Sequence, residues 1–199
     1  ATMPNEIAKI SRQYMHDAAE IAVGTRNAGS DNVEHVYYMV RADHRYLALK
    51  RIVDMNPDIY GIVFCRTRQE TKDVAEKLMK DGYNADALHG DLSQAQRDTV
   101  MNKFRIKNLQ VLVATDVAAR GLDVSDLTHV INYNLPDDVE VYTHRSGRTG
   151  RAGKKGVSCV IVHTREGRRL REIERIIKKE FKHMPVPTGM EVCKRQLFH

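Results

Sequence analysis

Cysteine is scarce in these 199 residues: Cys65, Cys159 and Cys193 are odd in number, far apart and in no CxxC pair. That pattern offers neither a disulfide framework nor a zinc site, and it fits a reducing, cytoplasmic setting. No apolar run reaches the length that spans a bilayer and nothing reads as a signal peptide, so the expectation is a soluble protein with no membrane partner. Internal repeats and low-complexity tracts are missing as well. What is present is 42% hydrophobic residues, enough for a core, in a length with room for one full domain and some extra. The formal charge of +6 favours an anionic partner such as nucleic acid. It is unevenly placed, with ten Lys or Arg against five Asp or Glu from Thr164 to His199.

Apolar patterning along the chain alternates between the strand and helix periods. Strands are expected at 32–40, 59–65, 84–89, 109–115, 126–134 and 156–163, and helices at 44–55, 68–82, 92–105, 139–147 and 166–181. Such alternation predicts an α/β domain with a mainly parallel sheet flanked by helices, and ligands beyond the carboxyl ends of the strands. Before it, Ile7, Ile10 and Tyr14 mark the apolar stripe of a helix over about 4–17, followed by a short strand at 21–25 and a flexible run at 27–32. After it, 184–199 carries two prolines and a glycine and reads as a tail leaving the domain.

The chemistry concentrates at Tyr142 to Gly156, YTHRSGRTGRAGKKG, which holds Arg145, Arg148, Arg151, Lys154 and Lys155 and no acidic residue. A helix over Thr143 to Gly150 would place His144, Arg148 and Arg151 on one face, at i, i+4 and i+7. Guanidinium forks aimed together suit the spread charge of a transferring phosphoryl group. A P-loop is absent: between Gly147 and Gly153 stand five residues instead of four, and Lys155 occupies the place of the required Ser or Thr. No Asp-Glu pair suited to Mg²⁺ and water activation is found either. The chain therefore carries at most half of a nucleotide-hydrolysing site.

Three strings occur in order: LHGDLSQAQRDTVMNKFR at 88–105, VATDVAARGLDV at 113–124 and HRSGRTGR at 144–151. Together they resemble the C-terminal RecA-like domain of DEAD-box ATP-dependent RNA helicases, over about residues 33–182. The resemblance implies a RecA-like three-layer sandwich. It implies that 1–25 is the remnant of a missing N-terminal RecA-like domain, 26–32 the interdomain linker and 183–199 the start of a C-terminal extension. It also implies that Arg148 and Arg151 are arginine fingers toward the phosphates of ATP, with ATP and Mg²⁺ held mainly by the N-terminal domain. Asp123 is similar to the carboxylate that bonds the ATP ribose. His144 and Arg120 are similar to interdomain residues, and Thr67, Gly90, Gln94, Arg97 and Thr115 to contacts with the RNA backbone. Contacts of that kind position a strand without reading its bases, so little sequence preference is expected. Residues 1–199 alone are expected to be inactive as an ATPase. Two other readings stay open: a DNA-directed helicase of the same superfamily, and a non-catalytic module that binds RNA or a protein.

Overall fold

The computed structural model describes residues 5–19, 30–122, 124 and 126–198. A helix α1 (Asn5–Tyr14) precedes a sheet of seven strands: β1 (Val33–Val40), β2 (Gly61–Phe64), β3 (Ala85–Leu88), β4 (Val111–Ala114), β5 (His129–Asn132), β6 (Gly156–His163) and β7 (Lys182–His183). The helices between and after them are α2 (Arg45–Asp54), α3 (Arg68–Lys80), α4 (Gln94–Arg105), α5 (Val139–Ser146), α6 (Gly167–Ile177) and α7 (Gly189–Leu197). Strand order is β3-β4-β2-β5-β6-β1-β7, and every pairing is parallel.

The central strands are short apolar runs because both their faces are covered. Alternate residues part to opposite sides. Val63, Val111, Val113, Ile131, Cys159 and Ile161 pack with Ala48, Leu49 and Ile52 of α2 and Val74, Ala75 and Leu78 of α3. Ile62, Phe64, Leu112, Ala114 and Val130 pack with Val100, Met101 and Phe104 of α4. Val160 and Val162 meet Tyr142 of α5 and Leu170, Ile173 and Ile177 of α6. Two helical layers around one parallel sheet make the expected three-layer sandwich.

Among the described residues no helix joins β4 to β5. The described residues of that connection instead cross the sheet, with turns at 116–121, covering it with Ala118, Ala119, Leu122, Val124 and Leu127. This loop brings chain from the carboxyl end of β4 back to the amino end of β5.

Three expectations are corrected. The helix predicted over 143–150 ends at Ser146, with Gly147 as its C-cap, so Arg148 and Arg151 lie in the following turn and do not share a helical face with His144. Gly150 is the reason for the turn: its φ is +66° and a Cβ there would stand 2.5 Å from Val33 Cγ2. The helix predicted to 181 ends at Ile177, where Lys178 turns left-handed with φ 54°, and Phe181 is buried beyond it. The segment 184–198 does not leave as a tail. Met184 and Val186 pack on the α2 side of the core, Met184 N–H donates to the Tyr37 carbonyl at 2.9 Å, and Arg51 Nη1 donates to the Pro187 carbonyl at 2.8 Å. Thr188 then starts α7 with a capping box, and Val192 is buried. The expected strand at 21–25, most of the expected linker and Asp123 lie outside the described residues.

Candidate functional site

The parallel register brings three loops to one edge. Phe64 and Leu88 both align with Ala114, so the residues after β2, β3 and β4 emerge side by side. The first loop presents Thr67, which caps α3: its Oγ1 accepts from Glu70 N–H at 3.1 Å, leaving the hydroxyl proton for an acceptor outside. The second loop presents exposed Gly90, with the Arg68 stem passing 3.7 Å from where a Cβ would be. Asp91 beside it binds Arg68 Nη1 at 2.5 Å and Lys72 Nζ at 2.9 Å. The Lys72 hydrogen bond, ahead of the one from Arg68, holds the Asp91 carboxyl below the usual carboxylate range.

Ser93 caps α4 through a full capping box, which sets Gln94 at its exposed start. Gln94 Nε2 donates to Asp98 Oδ1 at 2.8 Å, and Arg97 Nη2 donates to the Ala118 carbonyl at 2.6 Å. Thr115, 8% exposed, accepts from Ala118 N–H at 3.3 Å. Thr67, Gly90, Gln94, Arg97 and Thr115 thus gather around the carboxyl ends of β2, β3 and β4.

The arginine turn lies further along. A cavity of about 230 Å³ is lined by Phe64, Asp116, Ala119, Arg120, Val141, His144, Arg145 and Arg148. Arg120 and His144 are exposed, so the two residues expected to face another domain do open to this cavity and to solvent. A second cavity of about 250 Å³ has Arg148, Arg151, Lys107, Lys154, Lys155 and Asp126 on its walls, together with Leu127 and Thr128 just before β5. Arg148 lines both. HRSGRTGR therefore runs from the carboxyl edge of the sheet toward its amino edge, which corrects the expectation that the motif sits at strand carboxyl ends. The physical cause is the α5 direction: α5 starts after β5 and hands the chain back to the beginning of β6.

Arg148 Nη1 donates to the Leu122 carbonyl at 2.9 Å, and Arg151 Nε donates to the Gly147 carbonyl at 2.7 Å. Each fork spends one of its donors on the backbone, which fixes direction without neutralising charge. Burial, and then the neighbouring Arg151, disfavours the Arg148 cation. An anion placed between the two would relieve that cost. The wall chemistry of the second cavity, with five cations against Asp126, fits a polyphosphate.

Arg145 is the residue that sequence reasoning passed over. It is 4% exposed and forms a bidentate pair with Asp116. In the sequence it was one cation among five in a basic run, and although Asp116 stands in VATDVAARGLDV, no spacing showed that it would meet Arg145 together with Asn132 and Asn134.

The family pattern "Helicase conserved C-terminal domain" matches residues 44–153. The DEAD-box ATP-dependent RNA helicase CshA of Bacillus cereus is 42% identical over 98% of this chain and 37% of its own length. CshA of Geobacillus kaustophilus is 42% identical over 98% of this chain and 42% of its own. The chain thus spans well under half the length of these relatives. A solved DEAD box protein from Methanococcus jannaschii is 45% identical, with a TM-score of 0.73, over 92% of this chain and 49% of that one. Dbp5 of S. cerevisiae bound to RNA and ADP BeF3 is 27% identical with a TM-score of 0.87, over 98% of this chain and 53% of that one. By ordered motifs, three-layer fold and these similarities, the chain belongs to the DEAD-box ATP-dependent RNA helicases and corresponds to their conserved C-terminal helicase domain.

Proposed function

We propose that this domain works as the second RecA-like unit of a cytoplasmic ATP-dependent RNA helicase, closing on an N-terminal RecA-like domain to hydrolyse ATP and separate short RNA duplexes. The observation that carries the reading is Arg148, anchored by a backbone carbonyl and shared by two cavities rich in cations. Arg148 and Arg151 act as arginine fingers on the ATP phosphates, and Asp123 takes the ribose hydroxyls. When bound, ATP supplies the phosphoryl group, and Mg²⁺ offsets its charge. Among the described residues no group of three His, Cys, Asp or Glu stands together to hold a metal. In this reading Mg²⁺ arrives with the nucleotide and the N-terminal domain.

Thr67, Gly90, Gln94, Arg97 and Thr115 hold the phosphates of one RNA strand, while His144 and Arg120 meet the other domain. Support for RNA comes from the relatives' activity and from Dbp5, which was solved with RNA and a nucleotide analogue. Residues 1–199 alone would bind RNA weakly, with strong salt sensitivity, and turn over no ATP, since they contain no P-loop.

The test is ATP hydrolysis by the intact polypeptide, with RNA and DNA compared as activators. RNA-stimulated hydrolysis that falls by ~10³-fold or more in Arg151→Ala is expected from the magnitude of arginine fingers. Equal stimulation by DNA would replace the RNA assignment, and full activity in Arg151→Ala would remove the finger role.

A further inference from the structure

Arg145 makes an unusual number of ties for one side chain. Its Nε and Nη2 each donate to Asp116 at 2.7 Å, and its Nη1 donates to Asn132 Oδ1 at 3.0 Å and to the Asn134 carbonyl at 3.2 Å. The guanidinium carbon stands 5.1 Å from the centre of the Phe64 ring. Asn134 continues the chain of bonds: its Nδ2 donates to Glu70 Oε1 at 3.0 Å, and its Oδ1 accepts from Arg66 N–H at 3.1 Å. Glu70 N–H in turn donates to Thr67 Oγ1.

Two of the three strand-end loops in the proposed RNA path, those after β2 and β4, therefore connect to Arg145. Thr67 is reached through Glu70 and Asn134, and Thr115 is the chain neighbour of Asp116. Three residues beyond Arg145 stands Arg148, bonded to Leu122. The loop segment from Asp116 to Leu122 is thus fastened at one end by Arg145 and at the other by Arg148. A shift of that segment cannot leave the finger where it was. Lysine could not replace Arg145, because one ammonium cannot meet a carboxylate bidentately and still reach two further acceptors in its plane.

We propose that Arg145 and Asp116 form a positioning pair that locks the RNA-contacting loops to the arginine turn, so that RNA held at Thr67 and Thr115 sets the reach of Arg148. The pair rests on the helicase reading given above. It touches neither nucleotide nor RNA, and it acts by fixing two elements in one register.

The experiment uses the intact polypeptide with RNA titrated at saturating ATP, and RNA affinity measured in parallel by fluorescence anisotropy. Asp116→Asn removes the ion pair. Asn134→Ala cuts the chain toward Thr67 and leaves Arg66 N–H bonded to Glu70 Oε2 at 3.0 Å. Both are expected to bind RNA, with the ratio of RNA-stimulated to basal kcat lowered about 5-fold or more. Arg145→Lys is expected to behave as Asp116→Asn does. An unchanged ratio in folded Asp116→Asn and Asn134→Ala overturns the inference, as does an equal fall of basal and stimulated rates. Should Asp116→Asn fail to fold, Asn134→Ala decides by the same criterion. A wild-type enzyme without RNA stimulation overturns the helicase reading itself, and this inference with it.

Discussion

His35 and Tyr142 share a buried hydrogen bond of 2.5 Å between the imidazole Nδ1 and the phenol oxygen, and Ser158 Oγ stands 3.0 Å from the same phenol. All three are under a tenth exposed, with Phe181 packed at a 45° tilt against both rings. Burial drives the His35 pKa down from 6.5 to about 4, and the Lys179 charge adds in the same direction. The folded protein therefore holds His35 neutral where the unfolded chain would protonate it.

The sign follows from that order. Between pH 6.5 and 4 the unfolded state binds the extra proton, so stability is fully present above the unfolded value and is lost as pH falls toward the folded one. The loss from His35 is about 3 kcal/mol, given a fall from 6.5 to about 4 and ~1.4 kcal/mol for each tenfold change in proton affinity. His129, lowered to about 4 by burial, adds to it. Urea midpoints measured across this window should fall with pH, and His35→Gln should flatten the curve. A His35→Gln profile parallel to wild type would assign the acid sensitivity to other groups.

Gly156 opens β6 against the arginine turn, and a Cβ there would stand 2.0 Å from Thr149 Oγ1 and 2.6 Å from Gly150 N. Thr149 itself donates to the Leu127 carbonyl. Gly156→Ala must push Thr149 away, since backbone stands behind it. A loss of about 3 kcal/mol in the equilibrium unfolding free energy is expected, at the upper end of overpacking costs. Retention of wild-type stability would mean that the turn yields more easily than its contacts imply.

Arg97 offers a phosphate contact in the proposed RNA path while one arm of its fork holds the Ala118 carbonyl. Arg97→Ala in the intact protein should weaken binding to RNAs of different sequence by similar factors and reduce the slope of log K against log salt by about 1. A slope equal to wild type would take Arg97 off the phosphate path, leaving only its role in bracing Ala118.

Thr188 caps α7, accepting from Glu191 N–H while the Glu191 carboxylate accepts from Thr188 N–H at 2.7 Å. Thr188→Ala should cost ~1 kcal/mol, the usual worth of an N-cap, and should appear as faster amide exchange confined to α7 and the Pro187 junction. Exchange rising equally in β5 and β6 would show instead that α7 is part of the global unfolding unit.

Most strands and helices were legible because each apolar run has the period of its element, as in the α3 stripe of Val74, Ala75 and Leu78. The ends of elements were less so. The stop of α5 at Ser146 depends on Gly150 fitting against Val33, more than a hundred residues away in the chain. The return of 184–198 depends on Arg51 meeting the Pro187 carbonyl, a pairing with no local trace. The residues of the proposed RNA and nucleotide contacts were legible because they sit in strings of fixed spacing. Their support was not: Asp116, Asn132 and Asn134 earn their place only by surrounding Arg145.

The sequence by itself determined the layers, since alternation of short apolar runs with amphipathic helices leaves a covered parallel sheet as the arrangement that buries both faces. It also determined which chemical groups are on hand, since fixed strings supply the hydroxyls, glycines and guanidinium forks. Only the tertiary structure decided where those groups point. The arginine turn spans from one edge of the sheet toward the other because α5 runs from the end of β5 back toward the start of β6. Such directions arise from contacts between residues distant in the chain, and no local spacing encodes them.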